Sequence, residues 1–113
     1  MTTFEQFVAD RWGDVQPLSR DWLIATMGLG GETGECLEPL KKHYRDGKHP
    51  GEALKLELGD VLHYLTVIAR SYGWTLDELM SANMEKLLAR DRKKNDFDVF
   101  AGFQQPPGYT SDL

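Results

Sequence analysis

A chain of 113 residues, 41% of them hydrophobic, is long enough for one domain with a core and too short for two. Its formal net charge of -5 excludes the basic face that duplex nucleic acid requires, and such a protein can meet a polyphosphate only with metal ions in between. No apolar run is long enough to cross a membrane, no signal-peptide pattern follows Met1, and Cys36 stands alone, so a soluble protein of the reducing cytoplasm is expected.

Thr3 and Gln6 have capping-box spacing, and Phe4, Phe7, Val8 and Trp12 give a short amphipathic helix that Gly13 and Asp14 end. The second helix is predicted from Ser19 to His43 or Tyr44, with Lys41, Lys42 and His43 near the negative end of its dipole. Within it Gly28, Gly30, Gly31 and Gly34 each cost about 1 kcal/mol relative to Ala. Counting about 100° per residue puts Gly30 and Gly34 beside Leu23, Met27 and Leu37, where another helix would approach. Gly28 and Gly31 fall near Glu32 and Glu35, where they would leave space for a ligand. Pro39 removes the hydrogen bond to the Glu35 carbonyl and either kinks the helix or divides it in two. Turn residues fill Asp46 to Gly51. A third helix runs from about Gly51 to Tyr72 and stops at Gly73, and Thr75 and Glu78 cap a fourth that continues to about Arg92. The reading is therefore an all-α domain over residues 1–95, like a four-helix bundle, followed by an extended tail over 96–113.

Glu32 and Glu35 lie three residues apart on the second helix, and Glu57 and Asp60 repeat that spacing on the third, so each pair projects from one helical face. On the third helix Asp60, Val61, Tyr64 and Ile68 share the side of Glu57, and a narrow polar stripe of Lys55, Gly59, Thr66 and Arg70 lies opposite. The carboxylates are thus expected to point inward. Buried carboxylates need a cation, and oxygen ligands at this spacing suit a hard divalent ion such as Mg²⁺, with Mn²⁺ as a substitute. On the fourth helix Asn83, Lys86 and Arg90 share a face, an amide and two cations suited to a phosphate chain. Tyr64 either reaches a ligand or only packs, Trp22 is the best base-stacking candidate among the tryptophans, and Glu38 is either a base for water or a surface charge. His63, three residues beyond Asp60, reads as a histidine packed in the core, with a further ligand as the alternative. The glycine run lacks the G-K-[ST] ending of a phosphate-binding loop.

Taken together, Gly31-Glu-Thr-Gly-Glu35, Glu57-Leu-Gly-Asp60 and the stretch Asn83 to Arg90 resemble the MazG family of all-α nucleoside triphosphate pyrophosphohydrolases, over about residues 19–92. The resemblance implies Mg²⁺ on Glu32, Glu35, Glu57 and Asp60, and phosphates on Asn83, Lys86 and Arg90. It also implies a homodimer or homotetramer whose subunits together complete the fold and enclose the site. The implied reaction hydrolyses a (deoxy)nucleoside triphosphate between its α- and β-phosphates, with Glu35 or Glu38 taking the proton of water. Two rivals remain at this stage: phosphoribosyl-ATP as the substrate, or a non-catalytic helical module braced by metal. His63 departs from the family pattern, where an apolar residue is expected.

Overall fold

The computed structural model describes the backbone of residues 1–101 and the side chains of residues 1–95. All of its regular structure is helical: α1 (Thr3–Trp12), α2 (Arg20–Glu35), α3 (Leu37–Asp46), α4 (Gly51–Ser71) and α5 (Leu76–Ala101). The chain forms two units, Met1–Glu78 and the residues from Leu79 onward. The second is α5 beyond its first turn, which runs past the Arg92 end expected from sequence. Of the extended tail expected over 96–113, the backbone of 96–101 belongs to α5, and 102–113 lies outside the described residues.

Local chemistry sets most of these boundaries. The capping box of α1 sits one residue earlier than the Thr3 reading: the Thr2 N–H donates to Glu5 Oε1 at 2.8 Å, and the Glu5 N–H donates to Thr2 Oγ1 at 3.1 Å. Ser19 caps α2 by accepting from the Trp22 N–H. The long second helix is in fact divided, with α2 and α3 meeting at Cys36. Pro39 then falls in the first turn of α3, where its missing N–H leaves little unsatisfied. Gly73, at φ +78°, ends α4 as expected, and Thr75 accepts from the Glu78 N–H to open α5.

In the first unit α2 packs most extensively against α4, and α1 lies across α4. Gly28 of α2 meets Tyr64 of α4 while Glu32 meets Glu57, so the two helices run antiparallel. The close approach is at Gly28, where a Cβ would stand 2.7 Å from the Tyr64 ring. Gly30 and Gly34, the expected approach points, face open space among the described residues. Val8, Val15, Ala25 and Val67 form the core, with Phe4, Trp12, Trp22, Tyr64 and Ile68 against it. Thr66 belongs to no polar stripe: it is 0% exposed, and its hydroxyl donates to the Leu62 carbonyl at 2.7 Å. Solvent instead meets Leu56 and Leu58 of α4, at 69% and 53% exposure, and Leu23 and Met27 of α2.

Glu5 is a further departure from expectation. It is 2% exposed, and its Oε2 accepts from the Leu76 N–H at 3.1 Å, tying α1 to the start of α5. Hydrogen bonds from the Thr2 and then the Leu76 backbone hold its carboxyl below the usual range.

The two kinds of glycine give opposite expectations for alanine. Gly28→Ala gains about 1 kcal/mol of helix propensity but forces the Tyr64 ring aside, at a cost of about 1–3 kcal/mol. Gly31→Ala has nothing within 4 Å to displace. In urea denaturation the midpoint should fall for Gly28→Ala and rise for Gly31→Ala.

Candidate active site

The antiparallel pairing of α2 with α4 puts one acidic pair opposite the other. Carboxylate oxygens of Glu32, Glu35 and Glu57 lie within 4.8 Å of one another. Glu32 and Glu57 are half-buried, while Glu35 and Asp60 are exposed, so only one member of each pair turns inward. Oε2 of Glu32 and Oε2 of Glu57 are both buried without a hydrogen-bond partner among the described residues. Two buried acceptors facing each other need a donor or a positive charge, and no described side chain supplies one. A proton shared with Glu57, then burial, then the charges of Glu35, Asp60 and Glu57, push the Glu32 carboxyl up to about 7. An oxygen-only donor set with this unmet need fits a hard divalent cation.

Glu32 and Asp60 also line a cavity of about 400 Å³ together with Phe7, Arg11, His63 and Tyr64. Asp60 thus borders the same site as the three grouped carboxylates without joining their cluster. Trp22 packs against the core, its indole nitrogen buried, and does not line this cavity. Glu38 lies on α3, exposed, in an ion pair of 3.1 Å with Lys41. Asn83, Lys86 and Arg90 are exposed on α5, in the second unit.

The MazG nucleotide pyrophosphohydrolase domain matches residues 24–95, well over half of the chain. The chain belongs to this family. The MazG match begins inside α2, so the first helix, which supplies Phe7 and Arg11 to the cavity, lies outside it. Among curated proteins, the chain is similar to the Gene 37 protein of Mycobacterium phage L5, 36% identical over 70 residues. That alignment covers 58% of this chain and 61% of the phage protein. No solved structure matches the chain. Glu32, Glu35, Glu57 and Asp60 all lie within the MazG match. Phe7 and Arg11 lie outside the match, and their sequence signal is a four-residue spacing on one face of a short helix, whereas His63 lies inside it, at the position where the sequence departs from the family pattern.

The raised pKa of Glu32 fixes a pH dependence. Between the ordinary carboxylate value of 4.5 and about 7 the folded state binds more protons than the unfolded state, so stability falls as pH rises through that window. In protein stripped of metal, the urea midpoint of wild type should therefore decline from pH 4.5 to 7 relative to that of Glu32→Gln, a comparison in which the opposite contribution of His63, whose lowered pKa adds stability as pH rises toward 6.5, cancels. Glu57→Gln should flatten the decline, because the neutral amide can donate to Glu32, and added Mg²⁺ should reverse it at pH 7. A stripped wild type whose stability relative to Glu32→Gln rises over the same range would contradict this assignment.

Proposed function

We propose that the protein hydrolyses a (deoxy)nucleoside triphosphate to the monophosphate and pyrophosphate, with Mg²⁺ as its ion and Mn²⁺ as a substitute. The observation that carries this reading is the pair of buried, unpartnered oxygens on Glu32 and Glu57 beside Glu35. Glu32, Glu35 and Glu57 would hold the ion, with Asp60 at the margin of the same cavity. When bound, such an ion neutralises phosphate oxygens and lowers the pKa of a water molecule.

The remaining work falls to the chain's own groups. Glu35, exposed at the edge of the cluster, accepts the proton that water loses as its oxygen joins phosphorus and the anhydride oxygen leaves with pyrophosphate. Glu38 is the weaker candidate for that step, since Lys41 holds its carboxylate outside the cluster. Asn83, Lys86 and Arg90 bind the phosphate chain, for which their common helical face is suited. Tyr64 borders the cavity and shapes it, whereas the position of Trp22 in the core leaves it a packing role.

We further propose that the protein works as a homodimer or homotetramer in the cytoplasm. Leu23, Met27, Leu37, Leu56, Leu58 and Leu62 are all exposed, and the described hydrophobic side chains that are fully buried are few and small. Another copy of the chain would cover that apolar surface. Among the described residues, no helix is long and apolar enough to cross a membrane.

The direct test is pyrophosphate release from a panel of nucleoside triphosphates and phosphoribosyl-ATP in the presence of Mg²⁺. Release from at least one (d)NTP is expected, with Glu57→Gln lowering kcat/KM by about a hundredfold or more. Absence of release from the whole panel, with EDTA still lowering the melting temperature, would favour the metal-braced module instead. Sedimentation should give a mass of two or four chains, and Leu56→Glu with Leu58→Glu should shift it toward one.

A further inference from the structure

The cavity beside the carboxylates contains a histidine whose tautomer is dictated by its neighbour. Trp12 Nε1–H donates to His63 Nε2 at 2.9 Å. An indole nitrogen can only donate, so Nε2 must be the accepting nitrogen and the His63 proton sits on Nδ1. Burial first, and then the positive charge of Arg11, hold the His63 pKa below its ordinary value against the opposing pull of Asp60, which keeps the ring neutral, as this bond requires. Four aromatic rings fix the imidazole plane: Phe4, Phe7, Trp12 and Tyr64 have centroids 5.8–6.3 Å from it. Arg11 stands 5.9 Å over the Phe7 ring.

We propose that this cavity is the nucleobase subsite, in which His63, oriented by Trp12, presents its Nδ1–H to a ring carbonyl of the base. The inference rests on the pyrophosphohydrolase reading: phosphates held at the carboxylates place the rest of the nucleotide in the space that Glu32 and Asp60 also border. Phe7, 51% exposed and lining the cavity, supplies an apolar face for the base. A neutral ring with one fixed N–H discriminates by chemistry. It rewards a base that sets an acceptor, such as a ring carbonyl, opposite Nδ1 and leaves its own donor unmet when the base sets none there. Trp12 is a positioning residue, since it acts on the base only through His63.

Two measurements test this. Long-range ¹H–¹⁵N correlation spectra of the histidines should show His63 as the Nδ1–H tautomer, with the Nε2–H form gaining population in Trp12→Phe. A wild-type His63 in the Nε2–H form would overturn the proposal. In kinetics, dTTP is compared with the triphosphate of its difluorotoluene isostere, which keeps the shape of thymine and lacks its carbonyl oxygens. Wild type should favour dTTP by about tenfold in kcat/KM. That ratio should approach one in His63→Phe and fall part-way in Trp12→Phe. A ratio in His63→Phe equal to that of wild type overturns the base subsite alone. A wild type that hydrolyses no triphosphate overturns the pyrophosphohydrolase reading, and the base subsite with it.

Discussion

Two carboxylates held face to face in the interior of a helix pair are unstable company unless something positive joins them. Glu32 on α2 and Glu57 on α4 are in that position, each with one oxygen buried and unpartnered. Without an ion, a shared proton fills the gap, which is why the Glu32 carboxyl is pushed up to about 7. The divalent cation proposed above would satisfy the same oxygens with twice the charge of a proton, with Glu35 beside them as a further ligand. The stability of the free protein and its affinity for metal are therefore opposite readings of one electrostatic conflict.

The fold is arranged to maintain that conflict. Gly28 lets the Tyr64 ring lie against the α2 backbone, which brings the helices close enough for Glu32 to meet Glu57 about one turn further along. Val8, Ala25 and Val67 fill the space between α1, α2 and α4. The division at Cys36 ends α2 just after Glu35, so the last acid of the first pair projects from a helix terminus. On the other side of the same cavity α1 contributes Phe7 and Arg11, and its Trp12 aligns His63. One cavity thus joins an oxygen-rich wall suited to a metal and its phosphates to an aromatic wall suited to a flat ring.

The sequence made the acids legible because their chemistry is periodic: two E-x-x-[ED] pairs on helices leave few geometries open. Gly73 and Thr75 were equally readable, since each acts on its own backbone. Helix-by-helix angular counting failed where the answer depends on a neighbour. It could order Gly28, Gly30 and Gly34 around α2 but could not say which would meet Tyr64. It also put Thr66 on a solvent stripe, although the hydroxyl satisfies itself on the Leu62 carbonyl and can be buried at little cost. The inward orientation expected of all four acids holds for Glu32 and Glu57, whereas Glu35 and Asp60 are exposed. His63 read as a core histidine because nothing in its own surroundings in sequence announces Trp12, which lies 51 residues away along the chain.

On the proposed reading the Glu32, Glu35 and Glu57 carboxylates form a divalent-cation site. Anomalous diffraction from a crystal soaked in Mn²⁺ tests it most directly. An ion peak is expected among these three side chains, within roughly 2–2.5 Å of their oxygens, and should disappear in Glu57→Gln. Carboxylates turned apart with no anomalous peak among them, at a Mn²⁺ concentration that supports turnover, would contradict it.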